Sequence, residues 1–387
     1  MPYRPRDIYR GRRKYRVPLT IGLSVLAFLI VAAVALFYIL QQFLVYDQTG
    51  VRLQLPFMAQ ETVEEELPAA EITPAFEPVE VQVVYEEPDF SDLDLGGWEG
   101  LAPTKAKFVP YSDAANEQKL SAALNAVSGD DYDGVVLELK DRGGQLAWTS
   151  DCDMAVAYGT TGFLDYTETV AALHERGLTA AAQISCLADN LLGARNWPVA
   201  LRTAGGAVYT DASGTCWLDP YNRSVRNYIA DLMSELAAMG FDEILLADLY
   251  HPVGETVYND EGEPVGTGFQ YSVTVQTAPD PVNAVCQMAR RLTEDMQERE
   301  SGVTVSAVLD EASLLAGDGA RTGQDIGIFW RIFARLYCPC DNWNAMTDLE
   351  AAAETLNGGS IGTRFVPVCE YFPEDFDSYL ILPTKES

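Results

Sequence analysis

From residue 101 onward, strand-like and helix-like segments alternate, and this alternation constrains the fold more than any other feature of the chain. Short apolar runs at Lys107–Pro110, Gly134–Leu139, Leu178–Ser185, Asp242–Asp248, Val303–Leu309 and Thr363–Glu370 read as strands. Between them, Ala114–Ala126, Tyr166–Arg176, Ser224–Met239, Pro281–Glu300 and Asp348–Leu356 carry helical periodicity. Gly177, Gly240 and the pair Gly358 and Gly359 supply helix stops. Asp325–Leu336 is apolar and reads equally as helix or strand. Apolar strands each followed by a helix imply a parallel sheet covered by helices. Seven or eight such units over about 280 residues fit a closed TIM-like (β/α)8 barrel better than an open doubly wound sheet. The first strand is followed by no Gly-rich phosphate loop, which removes the usual reason to expect a dinucleotide fold.

Ahead of this region, Leu19–Leu40 holds no charged residue. About 22 residues at about 1.5 Å rise span about 33 Å, close to the hydrocarbon thickness of a bilayer. Seven basic residues and one acid precede the run within residues 1–16, so the tail is +6 and the remainder of the chain is -37. A basic cluster before an apolar run predicts the amino terminus inside the cell. A cleaved signal peptide has a shorter apolar core and a small-residue cleavage site, whereas this run ends in Phe37, Tyr38, Ile39, Leu40. The expected organisation is a cytoplasmic tail (1–18), a transmembrane helix (19–40), an acidic linker (41–100) and a barrel outside the cytoplasm (101–387). Residues 61–100 hold thirteen acids, no base and four prolines, the composition of a self-repelling stalk, with a short strand expected at Val79–Tyr85. So acidic a body is repelled by nucleic-acid phosphates, which excludes nucleic acid as a partner.

Seven cysteines leave at least one without an intrachain partner, and the sequence does not assign disulfides. Cys338-Pro339-Cys340 lacks zinc-ribbon spacing, and His174 and His251 are the two histidines, so neither a metal nor another cofactor is expected. Most of the thiols read as small buried side chains. No serine lies in a nucleophile-elbow context, so a Ser-His-Asp triad is not expected, and His251 reads as a loop histidine.

In a (β/α)8 barrel the chemistry sits at the carboxyl ends of the strands. Those positions hold Glu138, Lys140 and Asp141, then Ser185 and Cys186, then Asp248, Tyr250 and His251, then Asp310 and Glu311, and finally Glu370. Several carboxylates with Trp217, Trp330 and Trp343 nearby in sequence suit a sugar cleft, because aromatic faces stack on sugar rings and paired carboxyl groups cleave glycosidic bonds. The plainer reading of Glu138 and Lys140 is a structural ion pair, since strand alternation puts both on one face.

Within about residues 104–372 the chain resembles the glycosyl-hydrolase-like barrel family of unknown function found in bacterial envelope proteins. The stretch Cys216–Pro252 carries Trp217, Asp219, Pro220 and Tyr221 of a W-x-D-P-Y pattern, then Gly240, Phe241, Asp242, Glu243 and Ile244, then Pro252. Upstream, Lys140, Asp141 and Gly144 match a V-V-I-D-x-K-D-x-x-G segment, with Glu138 at its aspartate. Downstream, Val305-Ser306-Ala307 resembles a V-S-A-D strand and Gly323-Gln324-Asp325 a G-Q-D motif. Charged family positions fall here on Gln183, Ala247, Tyr250 and Val308. Asp248 stands one residue after the expected aspartate, and alternation turns it to the opposite face unless the backbone is irregular.

The resemblance implies a sugar-binding, glycoside-hydrolase-like barrel; with the anchor read above, the expectation is a membrane-anchored, extracytoplasmic protein that acts on or binds a polysaccharide or cell-wall glycan. The catalytic candidates are Asp248 and Glu370, with Glu138 and Asp310 in reserve. Trp217, Tyr250, Lys140, Asp141 and Trp343 are the substrate-binding candidates. The replaced strand-end charges leave open a catalytically degenerate barrel that serves as a glycan-binding or envelope scaffold.

Overall fold

A computed structural model describes residues 101–127, 131–253, 280–310, 322–339, 362–373 and 376–383, with shorter stretches at 44–47, 50–53, 257–258, 264–266 and 268–271 and single residues at 90, 98, 313 and 351. The chain divides into two compact units, residues 1–82 and 83–387. In the first, Leu44–Asp47 pairs antiparallel with Gly50–Leu53. No helix among the described residues is long and apolar enough to cross a membrane. The expected span at 19–40, the strand expected at Val79–Tyr85, Trp343 and the helix expected at Asp348–Leu356 (Ala351 apart) lie outside the described residues.

The second unit contains a closed barrel of eight strands, each parallel to both neighbours. In chain order they are β1 (Lys105–Val109), β2 (Gly134–Lys140), β3 (Thr179–Ser185), β4 (Glu243–Ala247), β5 (Thr304–Val308), β6 (Leu336–Pro339), β7 (Phe365–Cys369) and β8 (Tyr379–Ile381). Neighbours in the barrel are neighbours in the chain, and β8 pairs with β1 to close it. The main outer helices are α1 (Glu117–Asn125), α2 (Thr167–Glu175), α3 (Arg223–Ala238), α4 (Pro281–Glu298) and α5 (Ile326–Ile332). The apolar segment Asp325–Leu336 resolves as both structures: α5 first, then the start of β6. Asn116, Asn222, Asp280 and Asp325 cap α1, α3, α4 and α5 by accepting backbone N–H groups left open at the first turn.

Alternation along the strands sorts the core into two layers. Ala106, Val136, Ala181, Leu245, Tyr337, Val366, Val368 and Leu380 pack inside the barrel. Val135, Leu137, Ala180, Ala182, Ile184, Ile244 and Leu246 face the helices. By the same parity Glu138, Gln183, Ala247 and Val308 point inward near the upper ends of β2 to β5. The lower end is closed by a polar cluster. Buried Glu243 accepts from Arg335 Nη1 at 3.0 Å, from Tyr337 Oη at 3.3 Å and from Ser306 Oγ. Burial raises the Glu243 pKa, and Arg335 opposes that rise. Glu243 of the G-F-D-E-I motif and Ser306 of the V-S-A strand therefore plug the barrel at the end away from its mouth.

Two loop devices hold the upper rim. β2 is irregular between Glu138 and Lys140, where the register with β3 shifts, so the two side chains do not share a face. The expected Glu138–Lys140 ion pair does not form. Lys140 is fully buried, lies 3.0 Å from Asp189 Oδ2 and donates to the Ser185 carbonyl at 2.6 Å. Asp189 Oδ1 caps the helix Asn190–Arg195 by accepting from Leu192 N at 2.8 Å. Gly144, at φ +87°, passes so close that a Cβ there would meet this carboxylate oxygen at 2.0 Å. Glu235 on α3 accepts from Trp148 Nε1 at 2.8 Å and from Asp151 N and Cys152 N at 2.9 Å, pinning the long loop after β2.

Gly323, Gln324 and Asp325 divide a second task. Gly323 has φ +81°, and a Cβ would stand 2.3 Å from the Pro281 carbonyl. Fully buried Gln324 bridges the chain after β4 and β5, accepting from Asp310 N at 2.8 Å and donating to Leu249 O at 3.2 Å. The six described cysteines are buried.

Removing one member of a buried ion pair strands the other charge. Lys140→Met should therefore cost about 3–5 kcal/mol of unfolding free energy in urea titration, and Lys140→Met with Asp189→Asn should recover much of it. An unchanged midpoint for the single variant contradicts the pairing. Gly323→Ala combines left-handed backbone with a steric overlap and should lower stability by about 1 kcal/mol or more, whereas Gly302→Ala, at φ +70° with nothing near its Cβ, meets the backbone penalty alone.

Candidate active site

The carboxyl ends of β2, β4 and β5 open onto a cavity of about 620 Å³ whose walls include Glu138, Asp141, Arg142, Gln183, Ala247, Asp248, Tyr250, Val308 and Asp310. Three of the four catalytic candidates, Glu138, Asp248 and Asp310, thus meet in one space. Glu370 lies just beyond the end of β7, is exposed and does not line this cavity. Trp343 is outside the described residues.

Asp248 reaches the cavity by a backbone device that alternation alone does not supply. It follows the last residue of β4 and adopts φ +51°, the left-handed region. Aspartate tolerates that region better than most residues because its short polar side chain bonds locally. Here the conformation is fixed at three points. Arg142 Nε and Nη2 donate to Asp248 Oδ1 at 3.0 and 2.7 Å. Ser185 Oγ lies 2.6 Å from Oδ2. The Asp248 carbonyl accepts from Leu187 N at 3.2 Å. The expectation that Asp248 turns to the outer face fails for this reason, and both Ala247 and Asp248 line the cavity.

Glu138 stands on the inward face of β2, and its Oε2 accepts from Tyr111 N at 2.9 Å. Burial pushes its pKa up. The Tyr111 bond lowers it, nearby Asp141 and Asp248 raise it, and Arg142 lowers it. The two acids therefore sit in unlike settings: one desolvated, the other in contact with a guanidinium. Asp141 accepts from Gly143 N at 2.8 Å in a tight turn that aims Arg142 across the mouth. Asp310 Oδ2 accepts from Ser313 N at 3.2 Å.

The remaining candidates take mixed positions. Tyr250 lines the cavity, its hydroxyl accepts from Arg142 Nη2 at 3.0 Å, and burial with Asp248 nearby pushes its pKa up to about 12. Trp217 is buried behind it, rings 5.0 Å apart, with Nε1 donating to Asp211 Oδ2 at 3.1 Å. Lys140 is buried beneath the rim in the Asp189 pair rather than among the cavity walls. His251 is buried too. Nδ1 donates to the Pro252 carbonyl at 2.8 Å, which leaves Nε2 to accept from the Tyr271 hydroxyl at 3.0 Å. Its burial holds the pKa down at about 4, the behaviour of a packed neutral imidazole. Sequence reasoning passed over Arg142, the one cation among the described residues of the cavity wall. Its signal was slight: a basic residue directly after the strand-end Asp141.

Residues 106–326, more than half of the chain, match the family described as "Putative glycosyl hydrolase domain". No curated protein matches the sequence. Among solved structures, the chain is similar to a hypothetical protein from Ruminiclostridium thermocellum ATCC 27405, with 17% identity over 52% of this chain and 95% of that one, at a TM-score of 0.41. It is also similar to Ega3 of Aspergillus fumigatus in complex with galactosamine, with 11% identity over 72% and 81% of the two chains, at 0.38. A third likeness is to the galactosidase domain of the alpha-galactosidase-sucrose kinase AgaSK, with 12% identity over 77% and 40%, at 0.46. By this match the chain belongs to the glycosyl hydrolase domain family so described.

Proposed function

We propose that this chain is a membrane-anchored barrel that faces the outside of the cell and hydrolyses glycosidic bonds of a polysaccharide at its mouth. The observation that carries the reading is the pair Glu138 and Asp248, brought into one cavity in contrasting electrostatic settings. Glycoside hydrolysis needs one carboxyl group that arrives with its proton and one that arrives charged. Glu138, desolvated and raised, is the acid that protonates the leaving oxygen. Asp248, against Arg142, is the charged partner that draws a proton from the attacking water. Tyr250 offers the aromatic wall, stiffened from behind by Trp217. Asp141 and Asp310 accept sugar hydroxyls. With Glu138 protonated, three carboxylates share the cavity with a single guanidinium already in contact with Asp248, so neutral or cationic sugars suit it and uronic acids do not. The anchor at residues 19–40 and the acidic linker hold the barrel off the membrane surface.

A second reading has its own support. Gln183, Ala247 and Val308 put neutral side chains at inward strand ends where the family carries charge. In that case the mouth binds envelope glycan and releases nothing.

Incubating the protein with cell-wall polysaccharide, then measuring both binding and new reducing ends, separates the two. Glu138→Gln and Asp248→Asn should each lower the release of reducing ends by about 100-fold or more while binding persists. Binding without release by the wild type selects the scaffold, and absence of both ends the carbohydrate reading. Because Glu138 acts as the acid, the rate should fall as pH rises through its raised pKa. The same shift acts on stability with a defined sign. Its contribution is full below the unfolded pKa and is lost as pH rises through the folded one, so Glu138→Gln should be the more stable protein near neutral pH.

For the anchor, membrane fractionation should retain the full chain and release a variant lacking residues 19–40. Protease added to intact cells should remove the barrel and spare an amino-terminal tag. A soluble full-length chain contradicts the anchored reading.

A further inference from the structure

The hydrogen count at Ser185 is informative. Its Oγ lies 2.6 Å from Asp248 Oδ2 and 2.7 Å from the Ala188 carbonyl oxygen. A hydroxyl carries one hydrogen, so it donates along one of these contacts at a time. A carbonyl cannot supply a hydrogen to the other contact. A carboxyl group can, when protonated. The arrangement is thus fully hydrogen-bonded when Asp248 holds a proton on Oδ2, and Ser185 turns its hydrogen toward Asp248 when that proton leaves. Oδ1 already receives two guanidinium N–H groups from Arg142, which directs an incoming proton to Oδ2.

We propose that Ser185 is a positioning residue that keeps Asp248 hydrogen-bonded in both of its protonation states by moving one hydrogen between Asp248 and Ala188. This rests on the assignment of Asp248 as the base. In that step water loses a proton to Asp248 Oδ2, and its oxygen forms the new bond to the sugar carbon. The old carbon–oxygen bond breaks, and the leaving oxygen takes the proton of Glu138. Ser185 then releases its donation to Asp248, accepts from the new Oδ2–H and donates to Ala188. Exchange with solvent restores both acids.

The surroundings are built to hold such a relay still. Ser185 is buried, and its carbonyl is fixed by Lys140 Nζ at 2.6 Å. Lys140 is itself paired with Asp189, next to Ala188. Ala188 bridges to Trp217, and Leu187 N holds the Asp248 carbonyl. A serine that cannot drift, set between a fixed carbonyl and a carboxyl group, leaves only its hydrogen free to move. The charged and titratable groups facing Asp248 are Glu138 from β2, Arg142 from the loop after it, Cys186 after β3 and Tyr250 after β4, with Asp141 and Asp310 on the same cavity.

Neutron diffraction from deuterated crystals of the protein, at one strongly acidic and one alkaline pH, reads the relay directly. The proposal expects the Ser185 deuterium on the Asp248 contact at the higher pH. At the lower pH it expects that deuterium on the Ala188 contact, with a second one on Asp248 Oδ2. A deuterium that stays on one contact at both values overturns it, as does an Oδ2 that never gains one. Kinetics on a hydrolysed glycan give the second readout. Ser185→Ala should lower kcat about tenfold with KM unchanged, and Ser185→Thr, which keeps the hydroxyl, should restore it. Equal loss in both variants marks a serine needed only for packing and overturns the relay. Should no glycan be cleaved, hydrolysis fails as the function while the neutron result still decides the relay.

Discussion

A carboxylate that strand alternation would send outward is held inside the barrel mouth, and the candidate site depends on that placement. Asp248 leaves β4 in a left-handed conformation. Such a backbone costs of order 1–3 kcal/mol for a residue other than glycine and persists only where its surroundings over-determine it. Arg142, Ser185 and the Leu187 amide do so from three directions. Without them the mouth would keep Glu138, Asp141 and Asp310 but lose the one carboxylate held against Arg142.

The family motifs divide by height in the barrel. Glu243, Ser306 and Asp242 lie at the lower end. There Asp242 accepts from Ala180 N at 2.8 Å and lies 2.9 Å from His174 Nε2. Gly323, Gln324 and Asp325 tie the chain segments after β4 and β5 to the start of α5. Gln324 thereby braces Val308 and Asp310 of the cavity wall from behind, through its contacts with the Val308 carbonyl and the Asp310 amide. The inward residues near the strand tops include the neutral Gln183, Ala247 and Val308, which line the cavity. The particular geometry of Glu138, Arg142 and Asp248 therefore carries the proposed function.

Much of this architecture was legible in the sequence. Strands β1 to β5 and β7 are apolar runs of five to seven residues with helices or glycine stops between them, and such runs announce themselves. β6 is a four-residue strand ending in Pro339, and β8 has three residues. Segments that short carry no periodicity, and only closure of the barrel gives them their pairing. The site was half legible. Strand-end reasoning found Glu138, Asp248, Asp310, Asp141 and Tyr250, which do line the cavity. It could not see the register shift in β2, which takes Lys140 to Asp189 at 3.0 Å rather than to Glu138. Nor could it see φ +51° at Asp248, since aspartate adopts ordinary backbone at most positions. Glu370 is the converse case: the right strand end, yet outside the cavity wall.

In the proposed function Glu138 and Asp248 face one sugar ring from opposite sides. A crystal structure of the protein soaked with an oligosaccharide tests it most directly. A glycosidic oxygen is expected in hydrogen-bonding reach of Glu138, with the Asp248 carboxylate across the ring at about 6.5–9.5 Å from the Glu138 carboxyl group, the spacing that leaves room for the attacking water. A sugar seated elsewhere on the barrel, or an Asp248 side chain turned away from the mouth, would contradict it.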